Sequence, residues 1–115
     1  MNKQILVALF VIGFSAPALT AAVRSTDINK GPQGPVFAEP TLTITSGQTV
    51  EWIPKTDPGV PHQLFRLKPD GTRGEAVTEE FTAPNKGTHA FTAAGVEKIQ
   101  CRFHPRTMNQ TITVQ

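Results

Sequence analysis

The chain has few of the residues that usually cross-link a small domain or bind a nucleic acid. Its 115 residues contain one cysteine and no tyrosine, and the formal net charge is only +2. A single cysteine excludes a disulfide within the chain. Charges of both signs are interspersed, with no basic run and no interleaved aromatic residues, so nucleic-acid binding has no support. The length allows one domain at most.

Helical periodicity is absent beyond the N-terminal region, and the ten prolines oppose long helices. Short runs that alternate polar and apolar residues occur instead, as in Thr41–Thr45 and Gln48–Ile53. Further strand-like runs, each bounded by turn residues, are Val36–Phe37, Leu64–Leu67, Thr88–Thr92, Val96–Gln100 and Thr111–Val114. Roughly six to eight such strands predict an all-β fold, a Greek-key antiparallel β-sandwich. We interpret Glu75–Pro84 as a loop around Phe81.

The first residues have the layout of a secretory signal peptide. Lys3 supplies the positive charge, an apolar run extends from Ile5 to Phe14, and small residues continue to Ala22. The apolar run is short for a transmembrane helix, and an uncleaved anchor is the alternative. We predict a signal peptide over residues 1–22, a flexible lead-in rich in glycine and proline over 23–35, and the domain over 36–115. The mature chain, about 93 residues long, is expected to be periplasmic or otherwise exported and to lack a membrane span.

The stretch Gln100–Met108, QCRFHPRTM, contains the most informative residues of the chain. Cys101 is followed by His104 and then by Met108. A thiolate, an imidazole and a thioether are ligands that copper prefers. His62, in the upstream stretch GVPHQLF, offers a second imidazole. Two imidazoles and a thiolate make a trigonal plane, and a weak axial thioether completes a mononuclear blue-copper site for electron transfer.

Each of these residues also has a simpler interpretation when it is taken alone. Cys101 would be a buried thiol, Met108 a core residue that fills a gap, and His62 a loop histidine. A Cys–His nucleophile lacks an orienting third partner, and a zinc site with four protein ligands usually has more cysteine or histidine. His89 lies two residues before Phe91 in a predicted strand, and we interpret it as structural.

Three segments resemble the ligand-bearing parts of the cupredoxins, the small blue copper proteins of the plastocyanin, pseudoazurin and amicyanin type. They are VEWIPKTDPGVPHQL, FTAAGVEKIQC and CRFHPRTMNQTITV. The resemblance covers residues 36–115 and implies a Greek-key β-sandwich. It also implies one type 1 copper ion bound by His62, Cys101, His104 and Met108.

The same resemblance implies an electron carrier, not an enzyme, that shuttles single electrons between redox partner proteins. His104 corresponds to the partly exposed histidine of the family, the usual port for the electron. Two alternatives remain open. One is a copper-binding module for sequestration or delivery, and the other is a metal-free interaction domain in which Cys101 is merely buried.

The chain departs from the common cupredoxin pattern in four places. Gln63 stands where many members have asparagine, Glu97 where a tyrosine is common, and the cysteine-to-methionine spacing is one residue longer than in amicyanin. Arg102 and Arg106 flank His104, where many relatives have an apolar patch. The two arginines predict a basic rim that favours acidic partners and makes association sensitive to salt, and a solvated loop is the alternative. We expect a monomer.

Overall fold

The computed structural model describes residues 22–115, so the predicted signal peptide lies outside the described residues except for Ala22. Within that range the secondary structure consists of strands. They are β1 (Val23–Asn29), β2 (Val36–Phe37), β3 (Thr41–Ile44), β4 (Thr49–Pro54), β5 (Leu64–Leu67), β6 (Arg73–Ala76), β7 (Gly87–Ala90), β8 (Gly95–Cys101) and β9 (Asn109–Val114). In this part of the chain, no helix has the length and the apolar character needed to cross a membrane.

The strands form two sheets that pack around one core. One sheet has the order β3-β9-β8-β5-β6 and the other the order β2-β1-β4-β7. The Trp52 indole on β4 donates a 2.8 Å hydrogen bond to the Gln110 side chain on β9 and so links the sheets across the core. Large side chains that are fully buried in the core include Trp52, Phe91, Ile28, Leu64, Ile99, Met108 and Ile112. The predicted β-sandwich is confirmed.

Both sheets are mixed, whereas the sequence analysis expected antiparallel strands throughout. β1 runs parallel to β4, and β3 runs parallel to β9, while the remaining strand pairs of the described chain are antiparallel. Parallel neighbours need a long crossover connection. Here the chain supplies it by passing through the opposite sheet between the two partners of each parallel pair.

The prediction of a flexible lead-in over residues 23–35 is wrong. Val23–Asn29 forms β1, which pairs along its length with β4. Thr26 and Ile28 point into the core, whereas the outward side chains after Val23 are polar, and this composition concealed the strand. Glycine and proline are confined to the following turn, in which Gly31 and Gly34 exchange backbone hydrogen bonds of 3.0 and 3.3 Å. Among the described residues, the sandwich therefore begins at Val23.

Strand β6 is a second difference from the predicted pattern. Arg73–Ala76 overlaps the start of the predicted loop Glu75–Pro84. It is an edge strand with mostly exposed side chains, so its sequence, RGEA, carries no alternation of polar and apolar residues. The strands around the predicted ligands, β8 and β9, agree with the sequence analysis to within two residues at each end.

Candidate metal centre

The fold brings three of the four predicted ligands to one end of the sandwich. Cys101 is the last residue of β8, where it pairs with Leu64 of β5. His62 precedes β5 and forms an isolated bridge with Phe81, in which each backbone amide donates to the carbonyl oxygen of the other residue at 2.8 to 2.9 Å. His104 lies in the loop between β8 and β9. Two of the three side chains are therefore fixed by sheet-type pairing and the third by the loop.

The donor atoms of His62, Cys101 and His104 converge on a small volume. They all lie within 4.8 Å of one another, and the Cys101 Sγ is 3.6 Å from the His104 Nδ1. His62 and Cys101 have no solvent exposure, whereas His104 is partly exposed. Within residues 22–115 this is the one cluster of its kind, and its soft sulfur and two imidazoles fit a copper ion.

The environment of His62 is suited to a metal ligand. Burial lowers the pKa of its imidazole from the usual 6.5 to about 4, and the nearby His104 adds to the shift. The ring is therefore neutral at pH 7, as metal binding requires. Its Nε2 lies 3.0 Å from the Thr56 hydroxyl oxygen, whereas its Nδ1 is buried without a hydrogen-bond partner. A bound metal ion would satisfy this otherwise unpaired nitrogen, which is costly to bury.

Met108, the predicted axial ligand, is fully buried beside the cluster's loop. Its backbone amide donates to the His104 carbonyl at 3.0 Å, and its carbonyl accepts from the Cys101 amide at 3.1 Å. These two hydrogen bonds close the loop, so that the backbone of Met108 lies next to that of Cys101. The coordination of a metal by the thioether stays a prediction.

The side chains of Gln100 and Asn109, in the strands on either side of the loop, also hold it in place. The Gln100 amide donates to the Pro105 carbonyl at 3.3 Å and to the Asn109 side chain at 2.9 Å. The Asn109 amide donates to the same Pro105 carbonyl at 3.0 Å. Because Gln100 and Asn109 are paired across β8 and β9, they clamp the middle of the loop from its base.

Two of the residues that depart from the cupredoxin pattern, Gln63 and Glu97, make side-chain contacts of their own. The Gln63 carbonyl accepts from the Arg102 amide at 2.8 Å, and its side-chain oxygen lies 3.3 Å from the Arg102 guanidinium, so Gln63 links the His62 segment to the ligand loop. Glu97 accepts a charge-assisted hydrogen bond from Arg66 and therefore occupies its position as half of an ion pair.

His89 lies outside the cluster, as the sequence analysis expected. Its ring packs edge-on against Phe91 with a centroid distance of 4.7 Å, and its Nε2 is 3.4 Å from the Arg66 guanidinium. Burial and the positive charge of Arg66 lower the pKa of His89. The side chain belongs to a polar contact between the two sheets.

Sequence reasoning missed two residues that surround His62. Phe81 packs on the ring with a centroid distance of 5.5 Å, and Thr56 approaches its Nε2. Thr56 stands in the turn-rich stretch KTDPGVP, whose composition indicates only a loop. No spacing rule connects either residue with a ligand, so their role emerges from the fold.

The surface around His104 carries the predicted basic rim. Arg102 and Arg106 are both exposed, and the Arg102 guanidinium lies 5.2 Å from the centre of the Phe103 ring. Phe103, with 36% of its surface exposed, adds an apolar element beside the histidine. The rim is therefore basic and partly aromatic.

Comparison with known proteins identifies structural relatives only. No family model matches the chain, and no curated protein does. A purple cupredoxin from Nitrosopumilus maritimus shares 25% identity at a TM-score of 0.66, over 80% of this chain and 99% of that one. Amicyanin from Paracoccus versutus shares 26% identity at a TM-score of 0.63, over 87% and 85%. A methionine-to-glutamine variant of amicyanin, in its Cu(I) form, shares the fold at 21% identity and a TM-score of 0.64, over 82% and 83%.

Proposed function

Since the chain is a cupredoxin in its fold and in its His-Cys-His cluster, we propose that it is an exported blue copper protein that carries single electrons. In this proposal His62, Cys101, His104 and Met108 hold one type 1 copper ion. The observation that supports it most strongly is the convergence of the first three side chains, with His62 Nδ1 buried and unpaired.

The bound copper would supply a one-electron Cu(II)/Cu(I) couple. The protein's part is to hold its ligands in a geometry that suits both states, because thiolate and thioether favour Cu(I) while imidazole suits either. Cys101 and His62 are held by strand pairing and by burial, so they have little freedom to rearrange. Because His62 and Cys101 are fully buried, neither is directly accessible to a substrate, which favours a carrier over an enzyme.

His104 is the proposed port for the electron because it is the one cluster member with solvent exposure. The redox partners would dock around it, and Arg102 and Arg106 favour acidic partner surfaces. Replacing both arginines with glutamate is expected to slow association with an acidic redox protein and to remove the decline of the rate with salt. The matched control replaces Lys68 and Lys98, two exposed cations outside this rim, with glutamate and so changes the net charge by the same amount.

The copper-delivery alternative is tested by reversibility and retention. We expect a reversible Cu(II)/Cu(I) couple in spectroelectrochemistry and slow loss of Cu(I) to a chromogenic chelator, because the buried cluster offers an incoming ligand access only past His104. Rapid transfer of Cu(I) to the chelator, with an irreversible couple, would favour delivery and contradict the carrier function.

Met108 is tested separately from the other ligands. Met108→Leu keeps the volume and the apolar character of this buried side chain. If the thioether is the axial ligand, the variant keeps its thiolate-to-copper absorption band while its reduction potential shifts. An unchanged potential would remove Met108 from the ligand set and leave the other three in place.

A further inference from the structure

Thr56 is the polar residue that approaches His62 from the side opposite to the unpaired nitrogen. The threonine is 8% exposed, and its Oγ1 lies 3.0 Å from the His62 Nε2. The other ring nitrogen, Nδ1, is buried and has no hydrogen-bond partner in the protein. The two ring nitrogens thus differ completely in their surroundings, although both belong to a histidine that is fully buried.

We propose that Thr56 is a positioning residue for the copper site: its hydroxyl oxygen accepts the His62 Nε2–H and so directs the Nδ1 lone pair at the metal. This inference rests on the proposed function, which makes His62 a copper ligand. A neutral imidazole carries one proton, on either nitrogen, and a metal binds the nitrogen without it. A hydroxyl can donate or accept, but a proton on Nδ1 would be buried without an acceptor, so the tautomer in which Nε2–H donates to Thr56 is favoured and leaves Nδ1 free.

The N-terminal strand holds Thr56 in this position. The Ile28 carbonyl, in β1, accepts a 2.7 Å hydrogen bond from the amide of Lys55, the residue before Thr56. Two residues after Ile28, Lys30 forms a 3.1 Å ion pair with Asp57, the residue after Thr56. The hydrogen bond holds the backbone next to Thr56, whereas the ion pair, whose side chains are 64% and 69% exposed, adds only a surface contact.

The same segment of the chain also reaches the ligand loop. Gly34 lies so close to Thr107 that a Cβ at residue 34 would stand 3.3 Å from the Thr107 hydroxyl. Together with Thr56, this contact places residues 28–34 against both histidine-bearing parts of the site. The assignment of Thr56 thus gives the N-terminal strand a function beyond the completion of a sheet.

The test compares three variants in the metal-free and the copper-loaded protein. Thr56→Val removes the hydroxyl at nearly constant volume, and Thr56→Ser retains it. Thr26→Val is the matched control, because Thr26 is also buried, at 3% exposure, but belongs neither to the cluster nor to the segment 28–34 that contacts the site. Circular dichroism establishes that each variant is folded.

The first readout is the tautomer of His62 in the metal-free protein, from the nitrogen chemical shifts of its ring. We expect the Nε2–H tautomer in the wild type, in Thr56→Ser and in Thr26→Val, and a mixture of tautomers in Thr56→Val. A single Nε2–H tautomer in Thr56→Val would overturn the proposal, because another group would then be selecting it. This readout needs no copper and therefore judges Thr56 even if the electron-carrier function fails.

The second readout is copper affinity, measured by competition with a chelator of known strength. Loss of a hydrogen bond that orients a metal-ligating histidine typically weakens binding by about 10- to 100-fold. We expect a loss of this size in Thr56→Val, with affinity restored in Thr56→Ser and unchanged in Thr26→Val. Equal affinities in all four proteins would overturn the positioning role, whereas failure of the wild type to bind copper would contradict the proposed function instead.

Discussion

Two regions of the sandwich contain a histidine among polar side chains, and they are built in opposite ways. At the metal centre, His62 is fully buried next to Cys101, and one of its ring nitrogens has no partner. Around His89, Arg66 bonds both the histidine and Glu97, and the charges are paired within the protein. An unpaired ring nitrogen that converges with a thiolate and a second imidazole indicates a ligand site, whereas mutually satisfied charges indicate a structural contact.

Copper binding is where we expect the largest difference between variants of the two regions. Loss of a residue that only orients a metal ligand weakens binding by up to about 100-fold. Cys101→Ser removes a proposed ligand itself and should therefore lower copper affinity by more than this. His89→Ala should bind copper as the wild type does, because His89 lies outside the cluster. Competition with a chelator measures both. Equal losses of copper affinity in Cys101→Ser and His89→Ala would contradict the proposed difference between the two regions.

The second contrast concerns the pH dependence of stability in the metal-free protein. The pKa of His62 is about 4 in the folded state and near 6.5 when unfolded, so the unfolded chain binds more protons between these values. The stability that this histidine contributes is present above pH 6.5 and is lost as the pH falls towards 4. The loss amounts to roughly 3 kcal/mol.

Urea unfolding of the metal-free protein at pH 7, 5.5 and 4 measures this loss. His62→Gln should reduce the fall in unfolding free energy across that range, and His89→Gln should reduce it less, because His89 is more exposed. An identical fall in the wild type and in His62→Gln would show that other groups cause it.

A third contrast arises within strand β7, which reaches both regions. A Cβ at Gly87 would lie 2.4 Å from the ring of Phe81, the residue that packs on His62. Gly87→Ala should therefore cost about 1–3 kcal/mol of stability through overpacking. It should also move the histidine ring, visible in the spectrum of the copper-loaded protein. Thr88→Ala, at an exposed position of the same strand, is the control and should leave that spectrum unchanged.

The smallest expected effect is that of the ion pair in the other region. A double-mutant cycle on Arg66 and Glu97, whose side chains are 31% and 18% exposed, should give a coupling energy of about 1 kcal/mol or less. The coupling should weaken as salt is added, and copper affinity should not change. A change of copper affinity in either single variant would show that the two regions communicate.

The cluster of His62, Cys101 and His104 was indicated by the sequence, whereas the binding of copper by these residues and by Met108 stays a prediction. The spacing of Cys101, His104 and Met108 places three soft or borderline donors in one loop, and few other functions call for that combination. The β-sandwich was predictable for a similar reason, since most strands alternate polar and apolar residues. Strand β1 was not, because only Ile28 among its inward residues is strongly hydrophobic.

The residues that support the ligands could not be found in this way. The role of Thr56 depends on the backbone of Ile28 holding Lys55, a contact between segments that the sequence separates. Gln63 links the His62 segment to the ligand loop by bonding Arg102, which only the folded arrangement of the two loops shows. Local patterns specify donors, whereas their orientation is a property of the tertiary structure.

One measurement tests the central claim most directly: the visible and EPR spectra of the metal-free protein after addition of one equivalent of Cu(II). The account predicts an intense thiolate-to-copper absorption band and a narrow copper hyperfine splitting, because Cys101 and two imidazoles surround the ion. A weak band with ordinary tetragonal EPR would mean that Cys101 does not bind Cu(II), and it would contradict a blue copper site at this end of the sandwich.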